Sequence, residues 1–302
     1  MNSPKEDLKV YLNSRKELVD QALNRRLSSS GSPHSATVFE SMRYSLFAGG
    51  KRLRPILCLA AVDALGGDRE SVMDAACALE MIHTYSLIHD DLPAMDDDDF
   101  RRGRPTNHKI FGEGIAILAG DALLTEAFDL LAGSPLKGQL TAQRLLRVIQ
   151  EIAAAAGVNG MVGGQAADLE SEGKPVDRQV LQYIHNHKTE KMITVSLRSG
   201  AIAAGADDGS LVAITEYGRR IGLAFQIADD ILDIVGDQEA LGKDVGSDEA
   251  KKKATYPALY GIDASRREAN RLVEESLKTL ERFDHRADPL RMLARFIVER
   301  TY

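Results

Sequence analysis

Residues 86–105, SLIHDDLPAMDDDDFRRGRP, set six aspartates beside three arginines at the end of an apolar run. A second acidic group, Asp229, Asp230 and Asp233, interrupts IGLAFQIADDILDIV (221–235), where almost every other position except Gln226 is apolar. A helix that is hydrophobic nearly all round is a buried helix, and a buried aspartate is almost never unpaired. Asp229 and Asp233 are four apart and share a face. Three interior carboxylates with no cation close by in sequence need positive charge brought to them. In the first cluster, Asp90 and Asp91 follow the mostly apolar AACALEMIHTYSLIH (75–89). Pro93 should end that helix, so Asp96 reaches the same place only through a looped insert.

The carboxylates suit a hard cation. No Cys/His set stands at zinc spacing, and the Asp run lacks the central Gly and terminal Glu of an EF-hand loop. Mg²⁺ keeps waters and binds through one or two carboxylates plus substrate phosphates. Such a site is completed by a phosphorylated substrate and predicts phosphate-binding cations nearby. Arg101 and Arg102 follow the first cluster, and Lys243 and Lys253 the second. GGKRLRP (49–55) supplies Lys51 and Arg54, and HNHKTEK (185–191) supplies Lys188 with Thr189. Arginine binds phosphate bidentately and lysine as a point charge. No P-loop or Gly-rich nucleotide fingerprint is present, which argues against an ATP-type site.

Helices must position these groups. Period-2 alternation is nearly absent, and Ala, Leu, Glu and Arg recur at helical spacing. Ser3-Pro4-Lys5-Glu6 reads as a capping box opening an amphipathic helix to about Leu27. Loops are expected at 28–35, 66–67, 133–138, 172–175, 205–210 and 285–289. None resembles an interdomain linker, so the 302 residues read as a single all-α domain, a large multi-helix bundle. A net charge of −7 argues against general nucleic-acid binding. No apolar run approaches the roughly 20 residues of a membrane span, and the polar start is neither a secretory signal nor a transit peptide. Cys58 and Cys77 sit in apolar helical context and read as reduced core thiols of a cytoplasmic protein. With aromatics at 5% and no Trp, any cavity is expected to have aliphatic walls.

At this point the chain resembles the short-chain trans-isoprenyl diphosphate synthases. SLIHDDLPAMDDDDFRRGRPTNH is similar to their first aspartate-rich motif and FQIADDILDIVGD to their second. GGKRLRP, AGDALL (119–124), MVGGQAADL, HKTEKM and LGKDVGSDEAKKKATYPAL also match, in order, over about residues 35–260. The DDxxxxD form resembles that of bacterial farnesyl and many geranylgeranyl diphosphate synthases. The resemblance implies an all-α isoprenoid-synthase fold around a central apolar cavity, usually as a homodimer. It implies that Asp90, Asp91, Asp96, Asp229, Asp230 and Asp233 hold several Mg²⁺ ions, with Mn²⁺ as a substitute, against an allylic diphosphate. Arg101, Lys188, Thr189, Gln226, Lys243 and Lys253 match positions contacting that diphosphate. Lys51, Arg54, His83 and Arg102, with the Gly50 backbone, match the isopentenyl diphosphate site. The catalytic set so implied is Asp90, Asp91, Asp96, Arg101, Lys188, Asp229, Asp230 and Lys243. The ending FIVERTY departs from relatives that finish in a basic tail.

The implied reaction condenses isopentenyl diphosphate with dimethylallyl and geranyl diphosphates to (E,E)-farnesyl diphosphate, with a geranylgeranyl diphosphate synthase as the alternative. Tyr85 lies five residues before Asp90, about 7.5 Å down the helix, where farnesyl-forming relatives carry an aromatic. Tyr85 and Ser86 are the expected chain-length positions. A class I terpene cyclase needs no second diphosphate site. A non-catalytic prenyl-diphosphate-binding subunit could lose either residue set without harm. Both sets are intact here, which favours the synthase.

Overall fold

Thirteen of the eighteen residues in one central helix, Met73–Asp90, are buried, and its apolar residues run all the way round. That helix sets the architecture, because it must be covered on every side. The computed structural model describes residues 4–28, 32–175, 177–235 and 253–299. Their helices are α1 (Pro4–Arg26), α2 (Ala36–Leu46), α3 (Leu53–Ala64), α4 (Met73–Asp90), α5 (Asn107–Phe111), α6 (Glu113–Ala132) and α7 (Ala142–Ala156). There follow α8 (Met161–Ser171), α9 (Arg178–Ile184), α10 (Lys191–Ala203), α11 (Asp208–Val235), α12 (Tyr256–Tyr260), α13 (Ile262–Thr279) and α14 (Asp288–Glu299). A π-helical segment, His185–Glu190, joins α9 to α10 without a break.

Two buried helices form the middle. α4 packs along α6 and α3, and α10 packs against α3, α11 and α7. The outer helices α7, α13 and α14 are amphipathic, each burying one stripe. One continuous apolar core reaches from Leu8 to Ile297. Its walls are mostly Ala, Leu, Ile and Val, as the low aromatic content requires.

Three expectations need adjustment. A two-stranded hairpin, β1 (Phe100–Arg101) with β2 (Arg104–Pro105), sits just after the Asp run. The loops expected at 205–210 and 285–289 are shorter, because Asp208 and Asp288 already begin α11 and α14. Within 142–171 an 18-residue window is apolar enough, by length and composition, for a membrane-spanning helix, against the expectation of no such run. It is divided near Gly157–Gly160 into α7 and α8, of 15 and 11 residues. Ser3 of the expected capping box lies outside the described residues. Cys58 and Cys77 are free and buried as expected.

Candidate active site

α4 ends at the first acidic cluster. Asp90 is its last residue and Asp91 its C-cap. Pro93 does stop the helix, and the insert folds back. Met95 N donates to Leu92 O (2.8 Å), and Asp96 N donates to Asp90 O (2.8 Å). Asp96 is thereby returned to the helix end, as a looped insert would require. The hairpin then turns Arg101 inward, where its Nε donates to Asp91 Oδ1 at 2.7 Å. Asp91 is 3% exposed, so this guanidinium neutralises a buried charge. Burial pushes Asp90 up to about 6. Asp96 and Asp91 push the same way, against Lys188 and Arg101. A carboxylate held that high among other carboxylates favours an incoming cation.

The second cluster divides by helix face. Asp229 and Asp233 line a cavity of about 580 Å³. Asp230, one residue round α11, does not share that lining. Its Oδ1 accepts from Gln226 Nε2 (2.8 Å) and its Oδ2 from Tyr256 N (2.8 Å). His185 Nε2 lies 3.2 Å from Oδ2. Lys253, three residues before Tyr256, pairs with Asp96 at 2.8 Å. A single four-residue segment thus reaches both acidic clusters.

The π-helical segment carries Lys188 and Thr189. π-turns recur at functional sites. Thr189 Oγ1 donates to Gln226 Oε1 (2.6 Å), and Lys188 Nζ pairs with Asp168 Oδ2 of α8 (2.6 Å). Glycines on both sides let the wide turn fit. A Cβ on Gly164 would stand 2.3 Å from Lys188 N, and one on Gly222 would stand 2.9 Å from Glu190 Cα.

The cavity gathers cations. Gly50, Lys51, Arg54, His83 and Arg102 line it with Asp229 and Asp233, over an apolar wall that includes Leu57, Ile193, Ile221 and Phe225. Arg102 donates to Gly49 O, and the missing Cβ of Gly50 leaves the guanidinium room: an added one would stand 2.6 Å from Arg102 Cζ. Burial lowers Arg54 below the usual arginine range, against the pull of Glu80 and Asp229. Burial and the surrounding arginines hold His83 well below the usual histidine range, so it is neutral. Arg101, Lys188 and Lys253 are not in this lining.

A family model described as Polyprenyl synthetase matches residues 35–291. The chain belongs to this family. It is 49% identical over 279 residues to the farnesyl diphosphate synthase of Geobacillus stearothermophilus, covering 91% of each chain. It is 48% identical over 295 residues to the geranylgeranyl diphosphate synthase of Cyanophora paradoxa, covering 97% of each. The solved geranylgeranyl pyrophosphate synthetase of Pyrococcus horikoshii superposes with a TM-score of 0.88 at 31% identity, over 98% of this chain and 99% of that one. The fold is that of the isoprenyl synthases, and the chain is a prenyltransferase.

The site also contains features that sequence reasoning missed. Glu80 of α4 lines the cavity, and its Oε2 is buried without a hydrogen-bond partner. Its Oε1 accepts from Arg52 Nη1 at 2.8 Å. Arg52 adopts a left-handed backbone (φ 52°) and also donates to Asp20 of α1 and to Leu46 O. The signal for Glu80 was present: one carboxylate inside the apolar run ALEMIH. Asn13 and Lys16 of α1 and Phe296 of α14 join the lining from far away in sequence. Tyr85 is buried, edge-on to His89 at 5.8 Å, and is not part of the lining of this cavity. Ser86 Oγ donates to His83 O within its own helix. Lys243 lies outside the described residues. A further set, Asp97, Asp99 and His108, brings possible metal-ligand atoms within 4.8 Å of one another, with Lys109 already paired to Asp99.

Proposed function

We propose that this prenyltransferase joins isopentenyl diphosphate to dimethylallyl and then geranyl diphosphate, releasing diphosphate and (E,E)-farnesyl diphosphate. The observation that carries this is the shared cavity, where Lys51, Arg54, His83 and Arg102 meet Asp229 and Asp233 over an apolar wall. A cyclase or a mere binding subunit has no use for that second cation set.

The chemistry follows from what each group must do. Lys51, Arg54 and Arg102 hold isopentenyl diphosphate by its charge, and neutral His83 adds a hydrogen bond. Lys188, Arg101, Lys253 and Lys243 hold the allylic diphosphate and stabilise the charge that grows as it leaves. Asp90, Asp91, Asp96, Asp229 and Asp233 would hold Mg²⁺, and Asp229 and Asp233 fit a cation because both line the shared cavity. When bound, the metal supplies further positive charge to the leaving diphosphate. The apolar wall excludes water from the allylic cation until the double bond of isopentenyl diphosphate attacks it. The proton lost afterwards goes to the departing diphosphate. Tyr85, on α4 five residues before Asp90 and outside the lining of that cavity, is assigned the C15 limit on its match to the aromatic of farnesyl-forming relatives. The protein acts as a homodimer in the cytoplasm.

The test is product analysis with purified protein, Mg²⁺, isopentenyl and dimethylallyl diphosphates. Farnesyl diphosphate as the dominant product supports the reading. Geranylgeranyl diphosphate as the main product refutes the C15 stop, and no turnover by folded protein refutes the synthase.

A further inference from the structure

Asp230 belongs to the second acidic cluster by sequence, but its carboxylate is already taken up. Both oxygens accept from N–H donors, Gln226 Nε2 at Oδ1 and Tyr256 N at Oδ2. His185 Nε2 adds a third nitrogen 3.2 Å from Oδ2. The side chain is 3% exposed, and Asp230 is missing from the cavity lining that includes Asp229 and Asp233. The physical reason is angular. Residues four apart on a helix share a face, while the next residue points about 100° away. A metal bound through Asp230 would have to reach a 3% exposed side chain and compete with three nitrogens for its lone pairs.

The partners extend further. Gln226 is held by Thr189 Oγ1 at 2.6 Å. Thr189 and His185 share the π-helical segment with Lys188. His185 stacks on Tyr256 with ring centroids 6.3 Å apart. Tyr256 in turn closes the segment whose Lys253 holds Asp96. Asp230 is therefore the point where α11, the π-helical segment and residues 253–256 are fastened together.

We propose that Asp230 is a positioning residue rather than a metal ligand. It anchors a buried brace, with Gln226 and His185, that sets Lys188, Thr189 and Lys253 at the site, while Asp229 and Asp233 alone carry the metal on this cluster. This rests on the prenyltransferase reading of the two clusters. Its melting and Mn²⁺-binding measurements need no turnover, so they separate its failure from failure of that reading.

Two quantities are measured on full-length protein. One is the melting temperature in EDTA. The other is Mn²⁺ binding in the presence of inorganic diphosphate, followed by the EPR signal of free Mn²⁺. Asp229→Asn and Asp233→Asn should each weaken Mn²⁺ binding at least tenfold and leave the metal-free melting temperature unchanged or higher. Asp230→Asn should keep Mn²⁺ binding within threefold and lower that temperature by more than about 2 °C. An amide there sets N–H against N–H whichever way it flips. His185→Leu should behave like Asp230→Asn and lower kcat without moving the Mg²⁺ half-saturation, and His185→Gln should restore both. These two variants decide the matter if Asp230→Asn does not fold. The proposal is overturned if Asp230→Asn loses Mn²⁺ tenfold with its melting temperature intact. It is equally overturned if His185→Leu changes neither stability nor kcat.

Discussion

Replacing Asp90 by Asn should make the metal-free protein more stable while removing its activity. Burial pushes the folded carboxyl up to about 6, from an ordinary aspartate value of 3.8. Its folded pKa is therefore raised, so the native state binds the proton more tightly than the unfolded chain. The cost of keeping Asp90 ionised is fully present above pH 6 and fades as pH falls toward 4. Roughly two units at 1.36 kcal/mol each give a ceiling of about 3 kcal/mol. Partial exposure and coupling to Asp96 reduce that, so a gain of about 1–2 kcal/mol is expected at pH 8. At pH 5 the gain should be about half as large. Urea denaturation by circular dichroism, in EDTA at both pH values, measures it. A variant no more stable than its parent at pH 8 would refute the reasoning. So would a gain of the same size at pH 5 and pH 8, because then protonation is not its source.

Four further outcomes are expected. Tyr85→Ala should lengthen the product beyond C15, seen by chromatography of the dephosphorylated alcohols; unchanged products would remove Tyr85 from chain-length control. Arg101→Leu leaves Asp91 buried without its guanidinium and should cost about 3 kcal/mol by denaturant titration, besides lowering kcat. Gly164→Ala places a methyl group 2.3 Å from Lys188 N, so it should cost about 3 kcal/mol or more and raise KM for the allylic substrate; a silent substitution would mean that the turn is not packed as described. Burial pushes Cys77 up to about 12 and Cys58 higher still, so neither thiol should react with a disulfide reagent at pH 8 until the protein is unfolded.

Much of the molecule was legible without coordinates. The helical class came from periodicity, a local property that survives in any context. The two acidic clusters stood out because aspartates in apolar helices are costly unless something positive meets them. Pro93 marked the end of α4, and the loop after it did return Asp96 to Asp90 through one backbone hydrogen bond. Lys51, Arg54, His83 and Arg102, which the family resemblance groups as one site, share one cavity. The π-helical turn under Lys188 was not legible. It depends on Gly164 and Gly222, which come from helices on either side of it.

What the sequence determined by itself was therefore the inventory: the helices, the carboxylates, the cations and the turn that folds Asp96 back. Those follow from side-chain chemistry and from neighbours within a few residues. The tertiary structure decided the assignments. It turned Asp230 away from Asp229 and Asp233 into bonds with Gln226 and Tyr256. It locked Arg52 between Asp20 and Glu80 while Arg54 faced the cavity. It also brought Lys16 and Phe296, from opposite ends of the chain, to the same wall. One step along a helix is a turn of about 100°, so which of two adjacent like residues meets the cavity depends on the element packed against each.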